Sequence, residues 1–124
     1  MDVYAIEDVT IHPGETALVR TGIKVALPVG YEFQVRPKSG RALKTKFRIA
    51  NSPGTIDQEY RDEIKIIIDN IEPPIKQLFY EFNDDGTVNI KGIEHGSDFH
   101  IGKGEKFCQL VLMEVPKAAL YRVD

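Results

Sequence analysis

The sequence predicts an all-β sandwich or barrel, and three observations support that fold class. Short runs alternate apolar and polar residues, as half-buried strands do. Proline and glycine interrupt the chain so often that turn signals recur about every 8–12 residues. One segment alone has a pattern that favours a helix, and it is short.

The clearest strands are predicted in two stretches with alternating residues and in one further regular stretch. In residues 31–36 tyrosine, phenylalanine and valine alternate with polar residues, and in residues 64–69 isoleucines occupy every second position. Residues 110–115 form the last regular segment. Unpaired strand edges invite pairing with other chains. We therefore expect the edges to be covered by closure into a barrel or by a symmetric oligomer.

The predicted helix begins after residue 39. Ser39 and Gly40 precede good helix formers up to Lys44, and serine is a favourable N-cap. The segment allows one or two turns.

Residues 76–93 predict a self-contained β-hairpin. Leu78, Tyr80 and Phe82 alternate on one arm, and Asp85-Gly86 lies in the turn. This hairpin is either an ordinary pair of core strands or an insertion with its own surface, and the sequence leaves both open.

Composition sets the outer limits. The 124 residues fit one domain, 1–124, with 42% hydrophobic and 28% charged residues. The formal net charge of −3 provides no global attraction to nucleic acid or to an anionic membrane, so we expect neither partner. No apolar run is long enough to span a bilayer, and the single cysteine, Cys108, is expected in the core. We therefore expect a cytoplasmic protein.

Two segments have residue types suited to chemistry. In residues 36–41 a strand ends at a proline, and serine and glycine then open a helical turn that suits phosphate; a solvated basic loop is the simpler alternative. In residues 51–60, Pro53-Gly54 forces a turn, and Asp57 lies near Tyr60. A carboxylate in such a position can accept a proton from water; an ordinary Asx-turn in a hairpin loop is the common alternative.

Taken together, these segments resemble the trimeric dUTPases (dUTP diphosphatases), including phage-type members. Residues 36–44 (RPKSGRALK) and 51–65 (NSPGTIDQEYRDEIK) are similar to the second and third motifs of that family. Residues 2–15, 22–37 and 101–112 resemble the first motif, the strand region that follows it and the fourth motif, in the same order. The resemblance implies a distorted β-barrel or jelly-roll.

The resemblance also implies a set of site residues. Asp57 would activate the water that attacks the α-phosphorus of dUTP, and Asp2 would lie near the metal and the phosphates. The residues implied to bind the nucleotide are Lys38, Ser39, Gly40, Asn51, Gly54, Thr55, Ile56, Tyr60, Lys65 and Gln109.

Each group has an implied role. Residues 38–40 and Gln109 would bind phosphate, Asn51 with the backbone of residues 54–56 would read uracil, and Tyr60 would pack under the deoxyribose. Lys65 would lie where the following strand approaches the nucleotide. The family implies Mg²⁺ held by phosphates and water, without direct protein ligands, and a homotrimer whose sites combine several subunits.

The chain departs from the family pattern in several places. Lys38 and Lys106 replace arginines, Glu59 replaces an aspartate, and Asp62 replaces a glycine. A glycine-rich C-terminal motif that closes over the nucleotide has no counterpart in the sequence, so we expect weakened turnover. The alternatives are a catalytically weak regulatory nucleotide-binding protein, a relative of dCTP deaminase, or a purely structural jelly-roll. The 76–93 hairpin is a candidate surface for a protein partner.

Overall fold

The computed structural model describes residues 1–123, which form eleven β-strands and one short α-helix. In chain order these are β1 (Asp2–Tyr4), β2 (Val9–Ile11), β3 (Thr16–Arg20), β4 (Tyr31–Pro37), α1 (Ser39–Lys44), β5 (Phe47–Ile49), β6 (Gly54–Ile56), β7 (Lys65–Asn70), β8 (Ile75–Phe82), β9 (Val88–His95), β10 (Phe99–Ile101) and β11 (Lys106–Glu114). The predicted all-β class with one short helix is confirmed.

The strands are arranged in four antiparallel sheets. The largest has the order β1-β11-β4-β6, a second has the order β3-β7-β5, and β10 pairs with β2. The hairpin strands β8 and β9 form the fourth sheet. Strand pairing among the described residues does not close a continuous ring, and the barrel sheets meet through side-chain packing in one core.

One apolar core joins the three sheets of the barrel. Phe107 and Leu110 of β11 pack there with Ile66 and Ile68 of β7, and all four side chains are almost fully buried. Burying such a side chain contributes about 1.5–3 kcal/mol relative to leaving it exposed. Every second residue of β7 faces this core, as the period of a strand requires. The alternating burial of its side chains therefore favours a strand in this segment.

The predicted elements differ from the observed ones mainly at their ends. Ile64 is buried but precedes β7, and β11 begins at Lys106 rather than at Leu110. The helix spans Ser39–Lys44 as expected, but its N-cap is Lys38, which has extended backbone angles and makes no side-chain cap. The serine cap was wrong by one position, because the chain already turns helical at Ser39.

The hairpin is longer than predicted and forms a sheet of its own. Its arms are Ile75–Phe82 and Val88–His95, and neither pairs with a barrel strand. Its base is held by Asn70, a buried residue whose amide donates to the carbonyls of Ile11 and Ser97 at 2.9 Å each. No helix in the described part of the chain has the length and apolar character required to cross a membrane.

Candidate active site

The phosphate-loop candidates lie where β4 runs into α1. Ser39 and Gly40 are exposed and open the helix, so their N–H groups have no partner within it. Lys38 precedes them, and its ammonium lies 3.6 Å from a carboxylate oxygen of Asp2. The structure therefore brings three predicted phosphate ligands together at one loop.

Asp2 is the centre of a small charge cluster next to that loop. Asp2 pairs with Gln109 across β1 and β11, and the two side chains approach to 3.5 Å. The Lys106 ammonium lies 3.6 Å from the other carboxylate oxygen. Partial burial raises the pKa of Asp2, but the charges of Lys38 and Lys106 outweigh it and hold that pKa below its usual range.

A basic cleft of about 500 Å³ opens on the helix side of this cluster. Its lining includes Lys38, Arg41, Lys44 and Lys106, with Glu105 as the one acidic residue. The Arg41 guanidinium bonds to the Glu105 carboxylate and donates to the Lys106 carbonyl at 3.1 Å. Four cations around one cleft suit a polyphosphate.

The candidate base-reading turn lies beside the C-terminal half of β4 and leads into β6. Gly54 begins β6 and is buried, and the register pairs Gly54 with Val35 and Thr55 with Gln34. A β-carbon added at Gly54 would lie 3.2 Å from the Val35 side chain and 3.5 Å from the Asn51 amide. The position thus leaves little room for a side chain, and Asn51 lies close to the backbone of β6.

Asp57 follows β6 directly and is exposed. One of its carboxylate oxygens accepts the N–H of Glu59 at 2.7 Å, and its carbonyl accepts the N–H of Tyr60 at 3.2 Å. This is the Asx-turn that the sequence offered as the ordinary alternative. The turn fixes Asp57 and Tyr60 relative to each other and uses one of the four lone-pair positions of the carboxylate.

Gln58 anchors this turn to the neighbouring loop, a role that the motif reading did not assign. Its side-chain oxygen accepts the Gly30 N–H at 3.0 Å. Asp57 and Thr55 line a cleft of about 590 Å³ there, together with Tyr31 and other residues of the 29–32 and 115–117 segments. The Asp57 carboxylate therefore borders open space large enough for a small ligand.

Tyr60 and Lys65 border a third, separate cleft of about 470 Å³. The Tyr60 hydroxyl donates to the Glu63 carbonyl at 2.7 Å, and the Glu63 carboxylate is held by Arg20. The sequence reading considered Glu63 only for the dCTP deaminase alternative and missed its pairing with Arg20, because the two residues are 43 positions apart and no local pattern links them.

A single chain does not unite the two halves of the predicted site. Ile56 pairs with Phe33, so Asp57 lies beside the first residues of β4, whereas Ser39 follows its last residue. At about 3.3 Å per residue, the strand separates Ser39 from Asp57 by roughly 20 Å. Within one chain, Ser39 and Asp57 therefore lie near opposite ends of β4.

The remaining titratable side chains have plainer roles. Cys108 is buried, and burial raises the pKa of its thiol to about 12, which makes it a core residue and a poor nucleophile. His12, His95 and His100 are exposed and separate. Within residues 1–123, no three or more His, Cys, Asp or Glu side chains are grouped closely enough to hold a metal ion.

Known proteins show the same combination of fold and motifs. The dUTPase family model matches residues 1–76. A deoxyuridine 5'-triphosphate nucleotidohydrolase from Clostridioides difficile is 44% identical over 111 residues, covering 84% of this chain and 78% of that protein. One from Alkaliphilus metalliredigens is 38% identical over 125 residues, covering 100% of this chain and 70% of that protein. This chain belongs to the dUTPase family.

Among solved structures, phage members of the dUTPase family are similar in fold. A mutant dUTPase from phage phi11 of S. aureus, described with a structural Mg(II) ion, aligns with a TM-score of 0.78 at 27% identity, covering 99% of this chain and 81% of that one. The dUTPase of Staphylococcus bacteriophage 80alpha gives 0.78 at 28% identity, with coverage of 99% and 81%. A further phi11 dUTPase structure is described as having a species-specific insert.

Proposed function

We propose that this chain hydrolyses dUTP to dUMP and pyrophosphate, with Asp57 activating the attacking water. One observation carries the proposal: a single turn fixes Asp57 and Tyr60 relative to each other, and the Asp57 end of that turn borders a cleft of about 590 Å³. Membership of the dUTPase family supplies the substrate class.

In the proposed reaction, the Asp57 carboxylate accepts a proton from water as the water oxygen attacks the α-phosphorus. The bond between that phosphorus and the oxygen bridging to the β-phosphorus breaks, and pyrophosphate leaves. The Asx-turn supports this role because it orients one carboxylate oxygen through Glu59 and leaves the other for water. Catalysis then depends on positioning and charge neutralisation more than on covalent chemistry.

Selection of the base and the sugar is assigned to residues 51–60, with the base at the start of this segment and the sugar at its end. Asn51 and the backbone of residues 54–56 would read uracil, and the Tyr60 ring would pack under the deoxyribose. The tight approach of Gly54 to Val35 and Asn51 supports a preformed, narrow turn. A narrow polar turn can discriminate strongly between bases that differ in hydrogen-bonding pattern.

The triphosphate is assigned to the basic loop, with Lys38, the N–H groups of Ser39 and Gly40, and Gln109. Asp2 is a single carboxylate that is already paired with two lysines, so it cannot coordinate Mg²⁺ alone. This arrangement fits an ion whose ligands are mainly phosphate oxygens and water. When bound, Mg²⁺ would neutralise phosphate charge. Lys38 and Lys106 would hold Asp2 facing that position.

We propose a homotrimer as the active form and the cytoplasm as its location. The separation of Ser39 from Asp57 along β4 supports assembly, since one nucleotide must contact both. The buried free thiol of Cys108 suits a reducing compartment.

The decisive experiment replaces Asp57 with Asn and measures pyrophosphate release from dUTP with Mg²⁺. Turnover should fall about 10²- to 10⁴-fold, as expected for loss of a general base, while dUMP affinity changes little. Asp85→Asn is a matched control, because Asp85 accepts the N–H of Thr87 in the same type of turn, at the hairpin tip. Normal turnover in the Asp57→Asn variant would rule out the mechanism.

The same assay separates the alternatives. Nucleotide binding without pyrophosphate release by the unaltered chain would favour the regulatory protein, and ammonia from dCTP would favour the deaminase relative. Pyrophosphate from dUTP, and not from dCTP, dTTP or UTP, is the outcome expected here.

We further propose that the hairpin is an insertion in a single domain that binds a protein partner through its apolar face. The apolar side chains on that face come from both arms: Leu78, Tyr80, Phe82, Val88, Ile90 and Ile93. Phe82 is 80% exposed and Ile90 is 59% exposed, whereas the opposite face has the ion pair Lys91–Glu81. An uncovered face of this kind marks an interaction surface.

The hairpin proposal is tested with variants on its two faces. Phe82→Ser with Ile90→Ser should abolish co-purification of a partner from the native host and leave dUTP turnover unchanged. Lys91→Ser, on the charged face, should retain the partner. Equal retention by both variants would count against the proposal, and concentration-dependent association beyond a trimer would identify another copy of the chain as the occupant instead.

A further inference from the structure

Tyr60 is held by hydrogen bonds both at its backbone and at the hydroxyl group of its ring. Its hydroxyl donates to the carbonyl oxygen of Glu63 at 2.7 Å, and its own N–H donates to the Asp57 carbonyl at 3.2 Å. The ring position is therefore set by the backbone at residue 63 as much as by the Asp57 turn.

Residue 63 is in turn held by an arginine from another strand. The Arg20 Nε lies 3.0 Å from one carboxylate oxygen of Glu63, and the Arg20 Nη2 lies 2.8 Å from the other. This paired arrangement fixes orientation as well as distance. The Glu63 side chain is 17% exposed, compared with 48% for Arg20, so the carboxylate is the more sheltered partner.

The neighbouring residues explain why the ion pair acts on the loop rather than on the barrel. Thr21 donates to the Ile64 carbonyl at 2.6 Å, and the Ile64 N–H donates to Ile23 at 2.8 Å. These buried bonds already join the end of β3 to the start of β7. A half-exposed ion pair adds little stability to such a joint.

We infer that Arg20 and Glu63 are positioning residues that hold Tyr60 and thereby set the discrimination between deoxyribose and ribose. The inference rests on the proposed function of Tyr60. Deoxyribose and ribose differ by one hydroxyl group, so rejection of ribose requires a ring held in close contact with the sugar. A ring released from residue 63 can move aside and admit the 2′-hydroxyl group.

The pKa shifts of the two partners are consistent with this geometry. Hydrogen bonds from Arg20 are the largest cause of the lowered pKa of Glu63, and hydrogen bonds to Glu63 are the largest cause of the raised pKa of Arg20. Lys65, which pairs with Arg20 across β3 and β7, adds a second positive charge near that carboxylate. The Glu63 side chain thus stays charged over the range in which the ion pair is needed.

The test compares dUTP with UTP in the Arg20→Gln variant. The kcat/KM for dUTP divided by that for UTP should fall about tenfold, mainly through a higher KM for dUTP and a lower KM for UTP. The kcat for dUTP should stay within about twofold of that of the unaltered chain. Arg20→Lys should recover part of the ratio, since lysine keeps the charge without the paired geometry. The double variant Arg20→Glu, Glu63→Arg should recover more of the ratio than either single change.

Two controls separate this role from a structural one. Lys91→Gln breaks a comparable exposed ion pair, 3.2 Å from Glu81 in the hairpin, and should leave the ratio unchanged. The melting temperature of Arg20→Gln should stay within a few degrees of that of the unaltered chain. An unchanged ratio in Arg20→Gln, or a lowered ratio that the charge swap does not recover, overturns the inference.

A binding measurement keeps the two proposals distinct. Calorimetry measures the preference for dUMP, which is the Kd for UMP divided by the Kd for dUMP, and this preference does not depend on turnover. If the unaltered chain releases no pyrophosphate but Arg20→Gln still lowers the preference for dUMP, the proposed reaction fails and the positioning role stands. If the unaltered chain binds dUMP and UMP equally, the positioning role fails.

Discussion

The two ends of β4 differ in both charge and construction. At its C-terminal end, Lys38 and the helix α1 form a basic loop whose side chains are held by ion pairs through Asp2. Next to its N-terminal end, Asp57 is held mainly by backbone hydrogen bonds of one tight turn. One strand of about 20 Å thus separates a basic loop held through side-chain ion pairs from an acidic turn held through backbone hydrogen bonds.

The contrast also fits the demands of the proposed reaction. A general base and the sugar-packing ring must keep their geometry within fractions of an ångström, and a turn closed by backbone bonds does this. Phosphates are mobile and highly charged, so lysines on long side chains can follow them. Four predictions, from the largest expected effect to the smallest, address this comparison.

The largest effect is expected from mixing two inactive variants. Lys38→Glu disables the basic end and Asp57→Asn disables the acidic end, so each alone should lose nearly all turnover of dUTP. If each site takes its two ends from different subunits, trimers assembled from a 1:1 mixture should regain about a quarter of full activity. Pyrophosphate release after co-refolding measures this, and a mixture as inactive as its components would place both ends in one subunit.

The second prediction compares a glycine of the base-reading turn with a glycine of the basic loop. Gly54→Ala should destabilise the chain by about 1–3 kcal/mol, because its β-carbon would meet Val35 at 3.2 Å. Gly40→Ala has no atom within 4 Å of the added carbon and lies in α1, so it should be neutral or slightly stabilising. Urea unfolding checks both, and equal destabilisation would contradict the difference in packing.

The third prediction concerns the lysines of the basic end. Lys38→Arg or Lys106→Arg should tighten pyrophosphate binding about three- to tenfold, since a guanidinium can form two parallel bonds to one phosphate. Calorimetry with pyrophosphate measures the change. An arginine that weakens binding would indicate that the Asp2 cluster is shaped for the smaller ammonium group.

The smallest effect is expected from Asp2 at acid pH. Because the folded-state pKa of Asp2 lies below its ordinary value of 3.8, its ion pairs contribute fully above about that pH and are lost as pH falls through the lowered folded-state pKa. Asp2→Asn should therefore reduce the acid-dependent loss of stability. Urea unfolding at pH 6 and pH 3 tests this, and an identical pH dependence in both proteins would contradict it.

Local pattern was enough for much of the fold. The alternation around Ile66 and Ile68, the helix formers after Ser39 and the Asp85-Gly86 turn each specify structure within a few residues, and the protein has these elements with shifted ends. Motif spacing was also enough to select Asp57 and Tyr60 as neighbours, because the turn that joins them is itself local.

Tertiary structure decided what sequence spacing does not encode. The hairpin forms its own sheet, Arg20 reaches Glu63 over 43 positions, and Asp2 meets Gln109 over 107. Such contacts depend on strand register and sheet order, which arise from packing of the whole core. For the same reason, the sequence indicated a phosphate loop and an acidic turn, but only the pairing of β4 with β6 revealed that one chain holds them at opposite ends of a strand.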